Sequence, residues 1–185
     1  ERFAGVLDKD VKQAKVVAEV FNPGRFTKES PKHKLIPGQA FDLELGNDLL
    51  KAGTRQEVRR YVQGVKPGLV VISPPCTMFS IMQNMNHKRN RRRGQAHARF
   101  VFQKLCEAKV LLRFGEEIAE TVMSYGGIFV FEHPLTSKAW EEPELQRLML
   151  KDNVFWQEVT NVASDSERSM ASFTRSPLDG VQILR

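Results

Sequence analysis

The stretch GLVVISPPC, residues 68–76, decides how the rest of the chain is interpreted. Its apolar and mostly β-branched residues 69–72, bounded by turn-forming residues, are typical of a central strand in a parallel sheet. The two prolines fix a turn directly after this strand, so Cys76 is expected just past the strand's carboxyl end. Ligands of open α/β sheets bind at that edge. The stretch therefore predicts a thiol that faces a ligand rather than the core, the alternative being a proline-rich turn whose cysteine only packs.

Strand-like and helix-like segments alternate along the chain on both sides of this stretch. Strands are predicted at residues 15–21, 40–45, 69–72, 128–131 and 154–159, and helices at residues 54–64, 95–124 and 143–150. Residues 164–175 are polar and unpatterned, which predicts a loop. Cys106 lies beside the apolar stripe of the long helix and is expected to be a buried core residue. The alternation predicts an α/β fold with a doubly wound, mostly parallel sheet, in one domain over residues 1–185.

The composition limits the kinds of binding partner and the cellular locations that are expected for the protein. The chain has 185 residues, 41% of them hydrophobic, and a formal net charge of +6. This charge predicts an anionic partner, either nucleic acid or an anionic membrane surface. No apolar stretch approaches the ~20 residues that span a bilayer, and no signal-peptide pattern is present, so we expect an intracellular, soluble protein in the nucleus or the cytoplasm. Two cysteines are too few for a disulfide framework or an all-cysteine zinc site, and no metal site is predicted.

Glu132 follows the predicted strand at residues 128–131 and precedes His133-Pro134. A carboxyl group beside a buried strand needs hydrogen bonds or a function, and partial burial raises its pKa toward that of a proton donor. Because the carboxyl ends of parallel strands share one edge of a sheet, Glu132 and Cys76 are expected to meet there. Glu132 is thus a candidate general acid, or else a glutamate that caps the next segment or pairs with a basic residue. His133 is interpreted as structural, since no metal-ligand spacing accompanies it.

The turn after the first predicted strand is a candidate cofactor site. Residues 21–24 read FNPG, and Asp42 follows Gly24 by roughly 20 residues, the spacing at which an acid takes the ribose hydroxyls of a nucleotide. The full glycine fingerprint is absent, so Gly24 could equally serve an ordinary turn.

Taken in order, these motifs resemble those of the DNA (cytosine-5) methyltransferases over roughly residues 16–140. The SPPC turn that ends at Cys76, followed by Phe79-Ser80, is similar to the Pro-Cys motif of that family. The sequence Glu132-His133-Pro134 is similar to its Glu-Asn-Val or Glu-Asn-Pro motif. The resemblance implies a Rossmann-like methyltransferase fold in which Cys76 adds to C6 of cytosine and Glu132 contacts N3.

The same resemblance implies S-adenosylmethionine as the cofactor. The sequence EVFNPG at residues 19–24 is similar to the acidic, Phe-Gly-rich cofactor loop of the family. The residues that the resemblance assigns to cofactor binding are Glu19, Phe21, Gly24, Asp42, Asp48 and Pro74.

The chain departs from the family pattern at several points. Thr77 stands where the family has glutamine after its cysteine, and His133 stands where it has asparagine after its glutamate. The large target-recognition region is missing, and so is a convincing Gln-x-Arg-x-Arg motif, whose role would fall to Arg168 or Arg175.

A basic run follows the cysteine turn. Its cations are Lys88, Arg89, Arg91, Arg92 and Arg93. By the resemblance, this run corresponds to a mobile loop that grips nucleic-acid phosphates, with DNA favoured over RNA and with an affinity that falls as salt rises. The alternatives are a solvated charge run and a localisation signal.

Three functions from different classes remain open from the sequence. The first is a methyltransferase that uses S-adenosylmethionine to modify cytosine in DNA or RNA. The second is a nucleic-acid-binding module that has a methyltransferase-like fold without catalysis. The third is an unrelated cysteine hydrolase that pairs Cys76 with His133.

Overall fold

One mixed sheet organises the residues described by the computed structural model, which are 15–80, 94–152, 154–161 and 168–175. In these ranges the sheet has six strands: β1 (Val16–Val20), β2 (Ile36–Phe41), β3 (Leu69–Ile72), β4 (Ile128–Pro134), β5 (Val154–Asn161) and β6 (Arg168–Arg175). The α-helices described are α1 (Arg25–Glu29), α2 (Ala52–Val65), α3 (Gly94–Ser124) and α4 (Pro143–Met149). Short 3₁₀ turns occur at Ser30–His33, Leu43–Leu45, Thr77–Phe79 and Lys138–Glu141.

The strand order is β2-β1-β3-β4-β6-β5. Strands β2, β1, β3 and β4 are parallel to one another, whereas β6 is antiparallel to both β4 and β5. From β1 the chain moves outward to β2 and then crosses to the other side of β1 to form β3. The carboxyl ends of β1 and β3 therefore flank a topological switch point, where open α/β sheets bind their ligands. The predicted α/β fold with a mostly parallel sheet is confirmed at this level, and it is compatible with a Rossmann-like fold.

Two of the predicted elements are wrong. Residues 40–45 were expected to form a strand, but β2 ends at Phe41 and the Asp42 side chain accepts a hydrogen bond from the Glu44 amide to cap a 3₁₀ turn. Residues 164–175 were expected to form a loop, but residues 168–175 form β6. Pairing with β4 on one side and β5 on the other fixes β6, so tertiary hydrogen bonding replaces the missing apolar pattern. The other predicted strands and helices are confirmed, with ends shifted by a few residues.

Helix α3 packs on one face of the sheet, which we call the helix face. A Cβ atom on Gly115 would lie 3.0 Å from the Phe131 ring and 3.2 Å from Ile72, so glycine permits this close approach. The buried strand residues of the helix face are Ala18, Val20, Val70, Ile72, Phe129 and Phe131. Cys106, expected in the core, is exposed instead, because it lies one position off the apolar stripe of α3.

Ion pairs join α3 to α4 and its flanking residues, and we call this set the α3–α4 ladder. Its described members are Lys109–Glu142 (2.8 Å), Arg113–Glu144 (2.6 Å), Glu116–Arg147 (3.1 Å) and Glu120–Lys151 (2.6 Å). Glu116 and Glu144 are both only 7% exposed. Despite burial, hydrogen bonds from its own backbone and from Arg113 lower the pKa of Glu144, whereas burial outweighs Arg147 at Glu116 and leaves the pKa of that acid raised.

Candidate active site

The SPPC turn places Cys76 at the carboxyl edge of the sheet. Strand β3 ends at Ile72, Pro74 is buried, and Cys76 begins the 3₁₀ turn Thr77–Phe79. The Cys76 carbonyl accepts a hydrogen bond from the Phe79 amide at 3.0 Å. Cys76 itself is half-buried. Its thiol therefore belongs to a rigid turn at the edge where a ligand would bind, as the sequence predicts.

Glu132 meets this turn through Ser73. Strand β4 lies beside β3 with Phe131 opposite Ile72, which sets Glu132 level with Ser73. The Ser73 hydroxyl donates a hydrogen bond to Oε2 of Glu132 at 3.1 Å. Glu132 lies within β4 rather than after it, because pairing with Ser172 of β6 extends the strand to Pro134. Ser73, three residues before Cys76, thus joins the cysteine turn to Glu132, and the meeting of the Cys76 thiol with Glu132 itself stays a prediction.

The surroundings of Glu132 favour its protonated form. Burial raises the pKa of Glu132, and the negative charge of Glu19 adds to that effect. The Ser73 hydrogen bond and the charge of Arg25 act in the opposite direction without cancelling it. This carboxyl group therefore keeps its proton to a higher pH than an ordinary glutamate, which suits a proton donor.

Glu19 lies on the opposite face of the sheet from α3 and is fully buried, with 0% exposure. Its Oε1 accepts a hydrogen bond from the backbone amide of Thr27 in α1. Its Oε2 has no hydrogen-bond partner among the residues described. An unsatisfied buried carboxyl oxygen is costly, so its retention calls for a reason beyond packing.

The turn after β1 brings together most of the residues assigned to the cofactor. Phe21 has φ 63°, in the left-handed region, and its amide donates to the Phe41 carbonyl at 2.8 Å. This bond ties the turn to the end of β2, so Asp42 lies beside it at the same edge. Gly24, with φ 86°, precedes α1 and is buried. The left-handed Phe21 was not predicted, because a non-glycine residue in that conformation has no sequence signature.

Asp42 and Asp48 differ in how their carboxyl groups are used. Asp42 accepts a hydrogen bond from the Glu44 amide at 2.8 Å. Asp48 accepts one from the Leu50 amide at 3.0 Å and lies 3.8 Å from the Lys51 ammonium. Asp42 directly follows β2, whereas Asp48 lies in the loop beyond the 3₁₀ turn. The geometry therefore favours Asp42 over Asp48 as a ligand-facing acid.

His133 points to the helix face, away from Glu132. Alternation along β4 places it with Phe129 and Phe131, and it is 1% exposed. Its ring contacts the rings of Phe79 and Trp140, with centroids 6.0 and 5.5 Å away. Burial lowers the pKa of His133 to about 4. Neither ring nitrogen has a hydrogen-bond partner among the described residues, so no Cys76–His133 pair of the kind a hydrolase needs is formed.

The structure does not describe the residues that the sequence predicts to bind nucleic acid. Lys88, Arg89, Arg91, Arg92 and Arg93 lie outside the described residues. Within the described ranges, no three His, Cys, Asp or Glu side chains cluster as a metal site would require. No helix of those ranges has the length and apolarity to span a membrane.

Two site residues escaped the sequence reasoning. Ser73 was read only as part of the SPPC turn, although its position two residues after Val71 places it on the same face as Glu132. Arg25 was not singled out, and only the fold brings it within electrostatic range of Glu132. The period of two along β3 is a signal that could have identified Ser73, whereas Arg25 had none.

Comparison with known proteins adds no family to this geometry. No protein-family model matches the chain, and no curated protein is significantly similar to it.

Proposed function

We propose that this protein is an S-adenosylmethionine-dependent methyltransferase that acts on C5 of cytosine in DNA or RNA through a covalent adduct on Cys76. The observation that carries the proposal is the 3.1 Å hydrogen bond between Ser73 and Glu132. It joins the turn that carries the nucleophile to a half-buried acid at the carboxyl edge of the sheet. Cytosine methylation needs a thiol and an acid close to the same base. The reason is that C5 becomes nucleophilic only when a thiolate adds at C6 and an acid protonates N3.

The proposed reaction starts with addition of the Cys76 thiolate to C6 of the pyrimidine. The S–C6 bond forms as the C5–C6 double bond opens, and the proton of Glu132 passes to N3. S-adenosylmethionine, when bound, supplies the methyl group that C5 takes, with S-adenosylhomocysteine as the leaving product. A base then removes the C5 proton, the C5–C6 double bond reforms and the thiolate leaves. The N3 proton returns to Glu132, so the enzyme ends in its starting state.

The residues after β1 and β2 fit the proposed cofactor. Asp42 accepts one hydrogen bond in the structure, and a carboxylate has further lone pairs available for ribose hydroxyls. The half-buried Phe21 lies on the turn that Gly24 closes, and its ring packs edge-on against Phe114. An acid at the end of the second strand, next to a tight turn after the first, is the arrangement that nucleotide-like ligands use.

A polymeric substrate agrees with the charge of the chain. The net charge of +6 favours an anionic partner, and the basic run at residues 88–93 follows the cysteine turn in sequence. A cytosine in a duplex must leave the base stack before a buried acid and a thiol can reach it. The edge formed by Cys76, Ser73 and Glu132 is where the flipped base would be held.

The experiment that tests the function is covalent trapping with oligonucleotides of random sequence that contain 5-fluorocytosine. After methyl transfer the fluorine at C5 cannot be removed as a cation, so the adduct persists and migrates as a protein–oligonucleotide band. We expect the band only when S-adenosylmethionine is present. Cys76→Ser should abolish it, whereas Cys106→Ser, the matched control at the exposed cysteine, should leave it unchanged.

Three outcomes would contradict the proposal. A band in Cys76→Ser would exclude this nucleophile. Nucleic-acid binding without any band would support the non-catalytic binding module instead. Labelling of Cys76 by a mechanism-based hydrolase probe, without nucleic acid or cofactor, would favour the hydrolase.

A further inference from the structure

Glu19 and Glu132 lie on the same face of the sheet, with Ser73 between them. Glu19 pairs with Val71 of β3, and Val71 pairs with Val130 of β4. Alternation along β3 and β4 then places Ser73 and Glu132 two residues beyond this row, on the same face. These three polar side chains therefore occupy one corner of the carboxyl edge.

The corner leaves Glu19 with one free oxygen. The Thr27 amide occupies its Oε1, and Oε2 has no partner among the described residues although the side chain is fully buried. With no exposed surface, Glu19 is badly placed to contact a cofactor directly, which is the role that the sequence resemblance implies. Its negative charge instead acts on Glu132.

We propose that Glu19 and Ser73 are positioning residues that act through Glu132 in the proposed reaction. Ser73 orients the carboxyl group by occupying Oε2 and leaves Oε1 for the proton that N3 takes. Glu19, fully buried on the same face two strands away, brings a second negative charge that favours the protonated carboxyl group and so holds the proton on it until the pyrimidine arrives. The inference rests on the proposed function for its catalytic meaning, but the coupling among the three side chains can be measured without substrate.

The groups around Glu132 determine in which direction its titration midpoint should move in each variant. Glu19 from β1 raises the pKa of Glu132, whereas the Ser73 hydroxyl from β3 and Arg25 from α1 lower it. The β6 residue paired with Glu132 is Ser172, which does not titrate in this range. Removing the Glu19 charge should therefore lower the titration midpoint of Glu132, and removing the Ser73 hydroxyl should raise it.

The test is a ¹³C NMR titration of the glutamate carboxyl carbons in the full chain, with Glu132 assigned by its loss in Glu132→Gln. Glu19→Gln keeps the acceptor for the Thr27 amide and should move the Glu132 midpoint to lower pH. Ser73→Ala should move it to higher pH, and Ser73→Thr should restore it. The matched control Glu116→Gln, which removes another buried carboxyl from the α3–α4 ladder, should leave it unchanged.

A midpoint that does not move in Glu19→Gln, or that moves the same way in every variant, would overturn the inference. Should Glu19→Gln not fold, the two Ser73 variants decide: a Glu132 midpoint that does not rise in Ser73→Ala, or that Ser73→Thr does not restore, overturns the inference.

The rate of adduct formation distinguishes the positioning roles of Glu19 and Ser73 from the proposed methyltransferase function. Ser73→Ala should form the 5-fluorocytosine adduct roughly 10-fold more slowly, and Ser73→Thr should recover most of that rate. Failure of the wild-type protein to form any adduct would overturn the proposed function. An adduct that forms while the midpoints stay unmoved would overturn the positioning roles alone.

Discussion

Two acidic side chains that are withdrawn from solvent, Glu144 in the α3–α4 ladder and the half-buried Glu132 at the sheet edge, differ in their partners and in the direction of their pKa shifts. Glu116 of the same ladder is an intermediate case, because burial outweighs its Arg147 partner and raises its pKa. In the α3–α4 ladder, Glu144 contacts the Arg113 guanidinium at 2.6 Å. Burial by itself would raise the pKa of Glu144, but hydrogen bonds from its backbone and from Arg113, with the charges of Arg113 and Arg147, lower it overall. At the sheet edge, Glu132 has a hydroxyl partner rather than a cation within salt-bridge distance among the described residues, and its pKa is raised.

We interpret this difference as separating residues that stabilise the fold from residues of the proposed site. An acid that arginine holds in its charged form, as at Glu144, stabilises the fold, whereas a partly buried acid without a cation, as at Glu132, destabilises the fold when it ionises. Natural sequences retain such groups chiefly at functional sites. The edge formed by Glu19, Ser73 and Glu132 is therefore the part of the described protein that we interpret as selected for chemistry rather than for folding.

Replacing Glu132 or Glu144 by glutamine should change the free energy of unfolding in opposite directions. The largest effect that we expect is the loss of adduct formation in Glu132→Gln. Glu132→Gln should slow adduct formation by roughly 10²- to 10⁴-fold, the range of general acid catalysis. It should also raise the free energy of unfolding at neutral pH by about 1 kcal/mol, because a buried ionisable group is removed. Trapping kinetics and chemical denaturation measure the two effects.

Glu144→Gln is the matched comparison. It should leave the trapping rate within about twofold of the wild type and lower the free energy of unfolding by about 1 kcal/mol. Equal rate losses in both variants would show that the two regions do not differ in function.

The stability effect of Glu132 should depend on pH in a defined direction. Its pKa is raised in the folded state, so folding is penalised when the group ionises. The stability gained in Glu132→Gln should be full above the folded pKa and should vanish below the ordinary pKa of glutamate. A gain that grows as the pH falls would contradict this assignment.

His133 offers a third kind of buried ionisable group, on the helix face. Because its pKa is lowered to about 4, the unfolded chain takes up a proton below its ordinary pKa and the folded chain does not. The wild type should therefore lose roughly 3 kcal/mol of stability between about pH 6.5 and pH 4 through this residue. His133→Leu should remove that part of the pH dependence, as followed by denaturation at several pH values. If the free energy of unfolding depends on pH in the same way in His133→Leu as in the wild type, groups other than His133 cause that dependence.

The ladder can be weakened from its cationic side with a smaller effect. Arg113→Met leaves Glu144 without its guanidinium, and because Arg113 is 65% exposed at its side chain the loss should be only about 1 kcal/mol at neutral pH. The lowered pKa of Glu144 stabilises the fold above the ordinary glutamate pKa, and that contribution disappears as the pH falls through the folded pKa. Wild type and Arg113→Met should thus converge in stability in acid, and a constant difference at all pH values would contradict the pairing.

The smallest effect is expected at the exposed end of the ladder. Lys151 and Glu120 are 38% and 46% exposed at their side chains. A double-mutant cycle with Lys151→Met and Glu120→Gln should give a coupling energy of roughly 0.5 kcal/mol or less. A coupling several times larger would mean that the whole ladder, rather than its buried acids, stabilises the fold.

The sequence predicts the fold where apolar patterns are strong. The strand at residues 69–72 and the helix ending at Ser124 follow from β-branched runs and helical periodicity, and both are confirmed. Strand β6 has no such pattern, because pairing on both sides fixes it instead of apolar side chains of its own. Cys106 was placed wrongly because one position along a helix turns a side chain by about 100°.

The sequence predicts the two main chemical groups of the candidate site, but not the surrounding contacts that position them. Cys76 and Glu132 follow from their positions after or near the ends of neighbouring strands, and the structure brings their segments together. The left-handed Phe21 depends on backbone contacts with Phe41, and the burial of Glu19 depends on α1 folding over it. Contacts of this kind are set by tertiary structure, so local sequence patterns do not encode them.

The central claim is that the Cys76 sulfur and the Glu132 carboxyl act on one pyrimidine. Peptide mass mapping of protein incubated with S-adenosylmethionine and a 5-fluorocytosine oligonucleotide tests it most directly. The account predicts a methylated fluoropyrimidine attached to Cys76, at a yield that falls sharply in Glu132→Gln. Attachment to Cys106, or no attachment to either cysteine, would contradict it.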